Sequence, residues 1–362
     1  MILCQQFQLR LIFNNMKAIN YIGWDVGGAH LKVASINASG KLELVEQFAT
    51  PLWLGLNQLE NVLPKSIEKL PEGALIHALT ITAELVDIFK DRESGIKQIL
   101  MLFEKKLGSD IKIYSIDGEI LSLNRAYRKV NEVASANWHA STSYVASLLE
   151  SGLFIDIGST TTDIIPFHNK LVNCHGSDDQ SRLCFDELVY TGVVRTPLMA
   201  LTKQAPFAGK WQNIIAEYFS NTADIYRILG SLEDEDDLME TADGDDKDLV
   251  SSIRRLARML GVDSNHFKYD DTCWTKLAMY FEEIQLQLLT RAVIRVLSHD
   301  ASSNKIIVGA GVGDFLVKKI ADRLSIPYIE FSDLCTIDSH LTHRCNMCAP
   351  AVGLAQLNRL LS

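Results

Sequence analysis

Asp25-Val26-Gly27-Gly28 and Asp156-Ile157-Gly158-Ser159-Thr160-Thr161-Thr162-Asp163 each place an aspartate near the end of an apolar run, follow it with small or hydroxyl-bearing residues, and then begin a second apolar run. A polyphosphate needs backbone amides that can approach closely and a carboxylate that holds the accompanying magnesium through its water shell. In the first segment, Gly27 and Gly28 leave the amides open to phosphate oxygens, Asp25 suits an outer-sphere Mg²⁺ ligand, and Lys32 adds a point charge. In the second, Asp156 takes the metal-side role, and Gly158 with the hydroxyls of Ser159, Thr160, Thr161 and Thr162 makes a dense donor set for an anion. The plain alternatives are a tight hairpin capped by Asp25 and ordinary serine/threonine turn chemistry. Repetition at matching places in two halves favours the phosphate reading.

A third segment, Val308-Gly309-Ala310-Gly311-Val312-Gly313-Asp314, follows a strand pattern and opens a helix. Its amides, at Gly309 and Gly311 above all, can face a nucleotide or a diphosphate at the helix N-terminus. A dinucleotide fingerprint fits less well, because Asp314 stands where its third glycine belongs.

Hydrophobic periodicity supplies the frame for these turns. Alternation at Ile22, Trp24 and Val26, at Leu31, Val33 and Ser35, and at Leu42, Leu44 and Val45 predicts three consecutive antiparallel strands. Helices near 56–69, 94–107 and 138–150 then alternate with strands at 74–81 and 111–116. The order restarts at Leu153 with strand, turn and strand, and a third short strand near 171–174. A mostly helical stretch over about 184–300 follows, with helical spacing at 211–219 and 277–296. A strand at 305–308, a helix at 314–324, a strand at 326–331 and a helix at 350–361 complete the second half. The expected organisation is an extension over 1–19, with Met16 as the natural start, a first lobe over 20–151 and a second over 152–362.

Bulk properties exclude several classes. The net charge of -10 is concentrated in 233–248, where ten acids against Lys247 leave about one negative charge for the rest of the chain. That balance argues against a nucleic-acid-binding body and provides no basic membrane patch. Seven cysteines, odd in number and scattered, suggest a reducing cytoplasm over a disulfide scaffold. No run reaches the ~18 apolar residues of a membrane span.

Asp25-x-Gly27, Asp156-x-Gly158 and Gly309-x-Gly311 resemble the two phosphate motifs and the adenosine motif of the sugar kinase, heat-shock 70 and actin superfamily. Within it the chain resembles the hydantoinase/oxoprolinase-related group, in a branch tied to tetrahydromethanopterin-linked one-carbon transfer and methanofuran biosynthesis. The resemblance spans 20–361. It rests on Asp25 to Ala29, Ala83 to Phe89, Ser135 to Trp138, Asp156 to Pro166, Glu187 to Pro197 and Thr241 to Gly244. Departures are His30, where an asparagine is expected, and Val312-Gly313, which lengthens the third turn.

The resemblance implies an α/β fold of two duplicated ribonuclease-H-like lobes, a helical insertion in the second, and an active site in the cleft between lobes. It implies a transferase that condenses an aminomethyl-furanmethanol diphosphate with the phenol of γ-glutamyltyramine and releases pyrophosphate. Mg²⁺ is the expected cofactor, with ATP possible but not favoured; the partners are the small-molecule diphosphate and phenolic amine, and the oligomeric state, a homodimer included, stays open. Arg195 and Lys32 are the cationic candidates for the diphosphate, and Asp163 or His30 for the phenol proton. The rival functions are an ATP-dependent hydantoinase/oxoprolinase-like hydrolase or small-molecule kinase, and a non-catalytic nucleotide sensor.

Three further places have two readings each. Asn137-Trp138 is either a helix cap with a packed indole or a lining for the aromatic acceptor. Asp243, in the acidic loop, belongs to a substrate-covering lid or to a solvated charge run. His340, His343, Cys345 and Cys348 have ligand types for zinc, but their separations are tight and Cys348 leads into an apolar helix that prefers a packed thiol.

Overall fold

The computed structural model describes residues 18–265, 271–299 and 305–362, so most of the expected N-terminal extension lies outside the described residues. The chain divides into two compact units, Met1–Tyr144 with Cys335–Ser362, and Val145–Leu334.

The first unit begins with β1 (Ile19–Val26), β2 (His30–Asn37) and β3 (Leu42–Ala49), followed by α1 (Asn57–Glu68) and β4 (Ala74–Ile81). Helix α2 (Arg92–Leu107), β5 (Lys112–Tyr114), β6 (Ile120–Ser122) and α3 (Asn137–Leu148), within which the boundary between the units falls, come next. The sheet runs β3-β2-β1-β4-β5-β6. β1 to β3 are antiparallel neighbours, β4 and β5 run parallel to β1, and β6 returns antiparallel. Ile22, Trp24 and Val26 alternate onto one face, where they join a core with Leu59 and Leu63 of α1 and Ile96, Ile99, Leu100 and Phe103 of α2. Helix α2 starts where it does because Asp91 and Ser94 form a reciprocal capping box, and it stops at Gly108, at φ 88°.

The second unit repeats the order. β7 (Ser151–Ile157), β8 (Thr162–His168) and β9 (Leu171–Val172) lead through α4 (Asp179–Phe185) to β10 (Leu188–Val189). After β11 (Gln204–Phe207), β12 (Lys210–Asn213), α5 (Thr222–Ile228), α6 (Leu249–Arg258) and α7 (Asp271–His299), the chain returns as β13 (Ile307–Ala310), α8 (Asp314–Leu324) and β14 (Tyr328–Glu330). The sheet order is β10-β8-β7-β13-β14, with β9 paired to β8. β7 and β8 are antiparallel, while β13 and β14 run parallel to β7 and to each other. Both units therefore carry an antiparallel hairpin followed by parallel strands on the other side of its first strand. That is the duplicated ribonuclease-H-like architecture.

Two expectations are corrected. The last helix, α9 (Ala349–Leu360), belongs with the first unit, not with 152–362. It presses so closely on β1 that a Cβ built at Gly23 would stand 2.1 Å from the Ala351 carbonyl oxygen. Gln356 donates to the Gly40 carbonyl and Asn358 to that of Ile76, which pins α9 to this sheet. The second correction concerns 211–219, where no helix forms. β12 pairs with β11 across Ala208 and Gly209, both at positive φ, the conformation a tight hairpin requires. The apolar spacing there comes from a strand and an irregular segment.

Candidate functional site

The two aspartate turns have the same construction. Gly27 N donates to His30 O at 2.9 Å, and Gly158 N donates to Thr161 O at 2.9 Å. In each case the aspartate lies two residues before the glycine, buried, and one residue short of the end of its strand. The ladder register matches as well: Asp25 pairs with Lys32 across β1 and β2, and Asp156 pairs with Asp163 across β7 and β8. Paired antiparallel residues project from one face, so each turn presents its aspartate beside the seventh residue beyond it.

In the first unit the Gly27-Gly28 turn is enclosed by its own neighbours. Leu52 N donates to Gly28 O and Thr50 N to Ala29 O. A Cβ at Gly28 would lie 2.9 Å from Val86 Cγ2, which brings the Ala83-to-Phe89 segment against the turn. His30 opens β2 with a buried side chain. Lys32 donates from Nζ to the Met347 carbonyl at 2.8 Å, so its ammonium fastens the C-terminal segment to β2 as well as standing opposite Asp25.

The second turn is braced from beneath by Thr191 to Arg195. The amides of Val194 and Arg195 donate to Ser159 O, and that of Val193 to Gly158 O. Gly192 sits so close that a Cβ would fall 2.5 Å from Gly158 O. Arg195 then reaches back over the turn, with Nη1 3.4 Å from Thr160 Oγ1. Ser159, Thr160 and Thr161 are half-buried on this turn, whereas Thr162 is fully buried and donates to Thr191 O at 2.7 Å. Three of the four expected hydroxyls thus belong to the turn, and the fourth anchors it to the fold.

The third glycine segment divides similarly. Gly311, at φ 88°, passes over Asp156, and a Cβ there would meet Asp156 Oδ1 at 2.4 Å. Gly313 N donates to Ile157 O at 2.8 Å, seating the start of α8 against β7. Gly309 lies inside β13, where its missing side chain makes room for the Tyr328 ring. Only Gly311 therefore shapes the space around the carboxylate. Asp156 and the hydroxyls of the turn are hard oxygen donors, the chemistry that Mg²⁺ accepts while retaining several waters, and the buried carboxylate beneath Gly311 fits that ion.

Other expected residues have structural partners. Asp163 accepts from Arg182 Nη2 at 2.5 Å. Arg182 is itself buried and donates to Glu187 O, and Glu187 accepts from the amides of His175 and Gly176. Sequence reasoning missed Arg182. Asp163 is thereby engaged by a buried guanidinium.

Asn137, the first residue of α3, accepts at Oδ1 from the Trp138 amide at 2.7 Å, and the indole of Trp138 is buried. Asp243 accepts from Arg255 at 3.0 Å and Arg258 at 2.7 Å. Burial works to raise its carboxyl, but the hydrogen bonds and charges of those arginines outweigh it and hold the group below its ordinary value. Asp236 and Asp237, unlike Asp243, are buried, with Asp237 bridged to Arg227 and Lys247. The acidic run is thus tied to arginines of α5 and α6 as well as solvated.

Cys345 and Cys348 are buried while His340 and His343 are exposed, and among the described residues no group of three or more His, Cys, Asp or Glu side chains is arranged to hold a metal. No helix among the described residues is long and apolar enough to cross a membrane.

Two ribonuclease-H-like units, each with an aspartate hairpin of the same register, define the class as a duplicated α/β fold. The hydantoinase/oxoprolinase family description matches residues 76–357, and the chain belongs to that family. A relative from Methanocaldococcus jannaschii is 31% identical over 309 residues, covering 85% of this chain and 90% of its own length. It carries the name (4-{4-[2-(gamma-L-glutamylamino)ethyl]phenoxymethyl}furan-2-yl)methanamine synthase. A protein of the same name from Methanococcus vannielii is 32% identical over 159 residues, 44% of this chain and 70% of that one. Among solved structures, a ROK family glucokinase from Streptomyces griseus aligns with a TM-score of 0.48 at 12% identity, covering 93% of this chain and 98% of its own.

Proposed function

We propose that the chain performs the condensation for which its methanogen relatives are named, joining a furan-bearing diphosphate to the phenol of γ-glutamyltyramine. The single observation that carries this reading is the 31% identity over 85% of the chain; the braced turn at Gly158–Thr161 supplies matching chemistry. The bond broken lies between the furanmethyl carbon and the diphosphate oxygen. The bond formed joins that carbon to the phenol oxygen, and the phenol proton passes to a base.

Ser159, Thr160, Thr161 and Arg195 hold the diphosphate in this reading, through hydroxyls and a guanidinium directed at accumulating negative charge. Asp156 would hold Mg²⁺ through water, and that ion would supply neutralisation of the departing diphosphate. The furan ring shares its electrons with the carbon being vacated, so the protein has to stabilise mainly the leaving group. Asp163, engaged by Arg182, and His30, whose side chain is buried, are the two candidates for the phenol proton. A phenol with an ordinary pKa of ~10 needs such an acceptor near neutral pH.

Purified protein incubated with Mg²⁺ and the two substrates is expected to yield ether and pyrophosphate in equal amounts. Failure to form either, with both substrates intact, refutes the assignment. The family match keeps one rival in view, an ATP-dependent hydrolase. ATP turnover stimulated by a small cyclic amide, with no ether formed, would establish that rival.

A further inference from the structure

Gln285 lies in the middle of α7, fully buried in a column of apolar residues that includes Phe281 and Leu289. An amide there is costly unless its polar atoms are bonded. Its Nε2 donates to Thr191 Oγ1 and to Gly192 O, each at 2.9 Å, and its Oε1 accepts from the Tyr226 hydroxyl at 2.6 Å. The Gly192 carbonyl also accepts from Thr222 Oγ1 at 2.9 Å and Thr196 Oγ1 at 3.0 Å. Three side chains from three parts of the chain converge on one carbonyl.

That carbonyl belongs to the residue packed against the Gly158-Ser159 peptide, and the three amides after it donate to that turn. The same short segment ends in Arg195, whose guanidinium meets Thr160. Rotation of the Gly192 peptide would therefore shift the turn and Arg195 together. Gln285 adds the bonds that prevent it, one to each side of that peptide's neighbourhood.

We infer that Gln285 is a positioning residue for diphosphate, acting through Gly192 on the Ser159–Thr161 hydroxyls and on Arg195. The inference rests on the reading of this turn as the diphosphate holder. Phe281 and Leu289 flank Gln285 on α7, and methionine is close to glutamine in length and volume, so Gln285→Met keeps the packing while removing the hydrogen bonds. What the glutamine contributes beyond packing is the orientation of Gly192.

The test is calorimetric titration of pyrophosphate with Mg²⁺ into the wild type, Gln285→Met, Arg195→Ala and the double variant, with thermal midpoints recorded for each. Gln285→Met is expected to weaken pyrophosphate binding by on the order of tenfold. In the Arg195→Ala background the same change should cost only about twofold, because the two residues share one route. KM for the diphosphate substrate should rise with the Kd, whereas simple loss of folded protein would lower apparent kcat and leave KM alone. Thr222→Val removes another hydroxyl from the same carbonyl at nearly constant volume and should weaken binding in the same direction; it carries the test should Gln285→Met not fold. Unchanged affinity in a folded Gln285→Met, or an equal loss in both backgrounds, overturns the inference while leaving the functional reading intact. A wild type that does not bind pyrophosphate overturns both.

Discussion

Asp156 and Asp163 stand directly opposite one another across β7 and β8, and the second of them is held at 2.5 Å by Arg182. Like charges in facing positions of a ladder oppose pairing, so the guanidinium offsets a repulsion that the hairpin itself creates. The pair also differs in surroundings: Asp156 lies beneath Gly311, and Asp163 meets Arg182.

Arg182→Met should therefore cost stability on the order of 3 kcal/mol in denaturant unfolding, because it leaves a carboxylate without its buried partner. Asp163→Asn should also lower the unfolding midpoint and reduce kcat only modestly in the folded fraction. A loss of kcat by several orders of magnitude with the midpoint unchanged would assign Asp163 the role of base.

Gly311→Ala tests the cradle around Asp156. An alanine at φ 88° is strained, and its Cβ would stand 2.4 Å from Asp156 Oδ1. The expected outcome is a stability loss of about 1–2 kcal/mol together with clearly weakened Mg²⁺–pyrophosphate binding by calorimetry. Gly309→Ala, which meets the Tyr328 ring, should lower stability with a smaller effect on affinity.

Protonation of His77 provides a pH-dependent readout. Burial lowers its pKa from 6.5 to about 4, and its Nδ1 accepts from Trp24 Nε1 at 3.1 Å, so the folded state holds it neutral. The unfolded chain binds this proton first as pH falls. Stability should therefore be full above about pH 6.5 and decline toward pH 4, by about 3 kcal/mol over the window. His77→Gln should flatten that part of a stability-against-pH curve, and an unaltered slope would count against the burial of a neutral ring.

Asp243→Asn separates a structural loop from a substrate cover. With the carboxyl held below its ordinary value, its contribution is present above about pH 4 and lost as pH falls further. The substitution should lower the thermal midpoint at neutral pH and make acid unfolding less steep, with KM little changed. A raised KM at an unchanged midpoint would support the lid instead.

The hairpins were legible because they are local: alternation sets the strands, and an aspartate two residues before a glycine marks each turn. The roles of Thr162 and Gly309 were not, since a hydroxyl directed inward and a glycine that makes room for Tyr328 look the same in sequence as ones that serve a ligand. Gln285 did leave a signal, a polar residue in an apolar helical column, but its partners lie far away in sequence at Thr191, Gly192 and Tyr226.

By itself the sequence determined the strand and helix order, the duplicated aspartate turns and the family they belong to, because periodicity and short motifs act over a few neighbouring residues. Tertiary structure alone decided that α9 returns to Gly23, that Arg182 takes Asp163, and that Gly192 supports the second turn. Those outcomes depend on which distant surfaces meet and which buried polar atoms find partners there, and neither is encoded in local spacing.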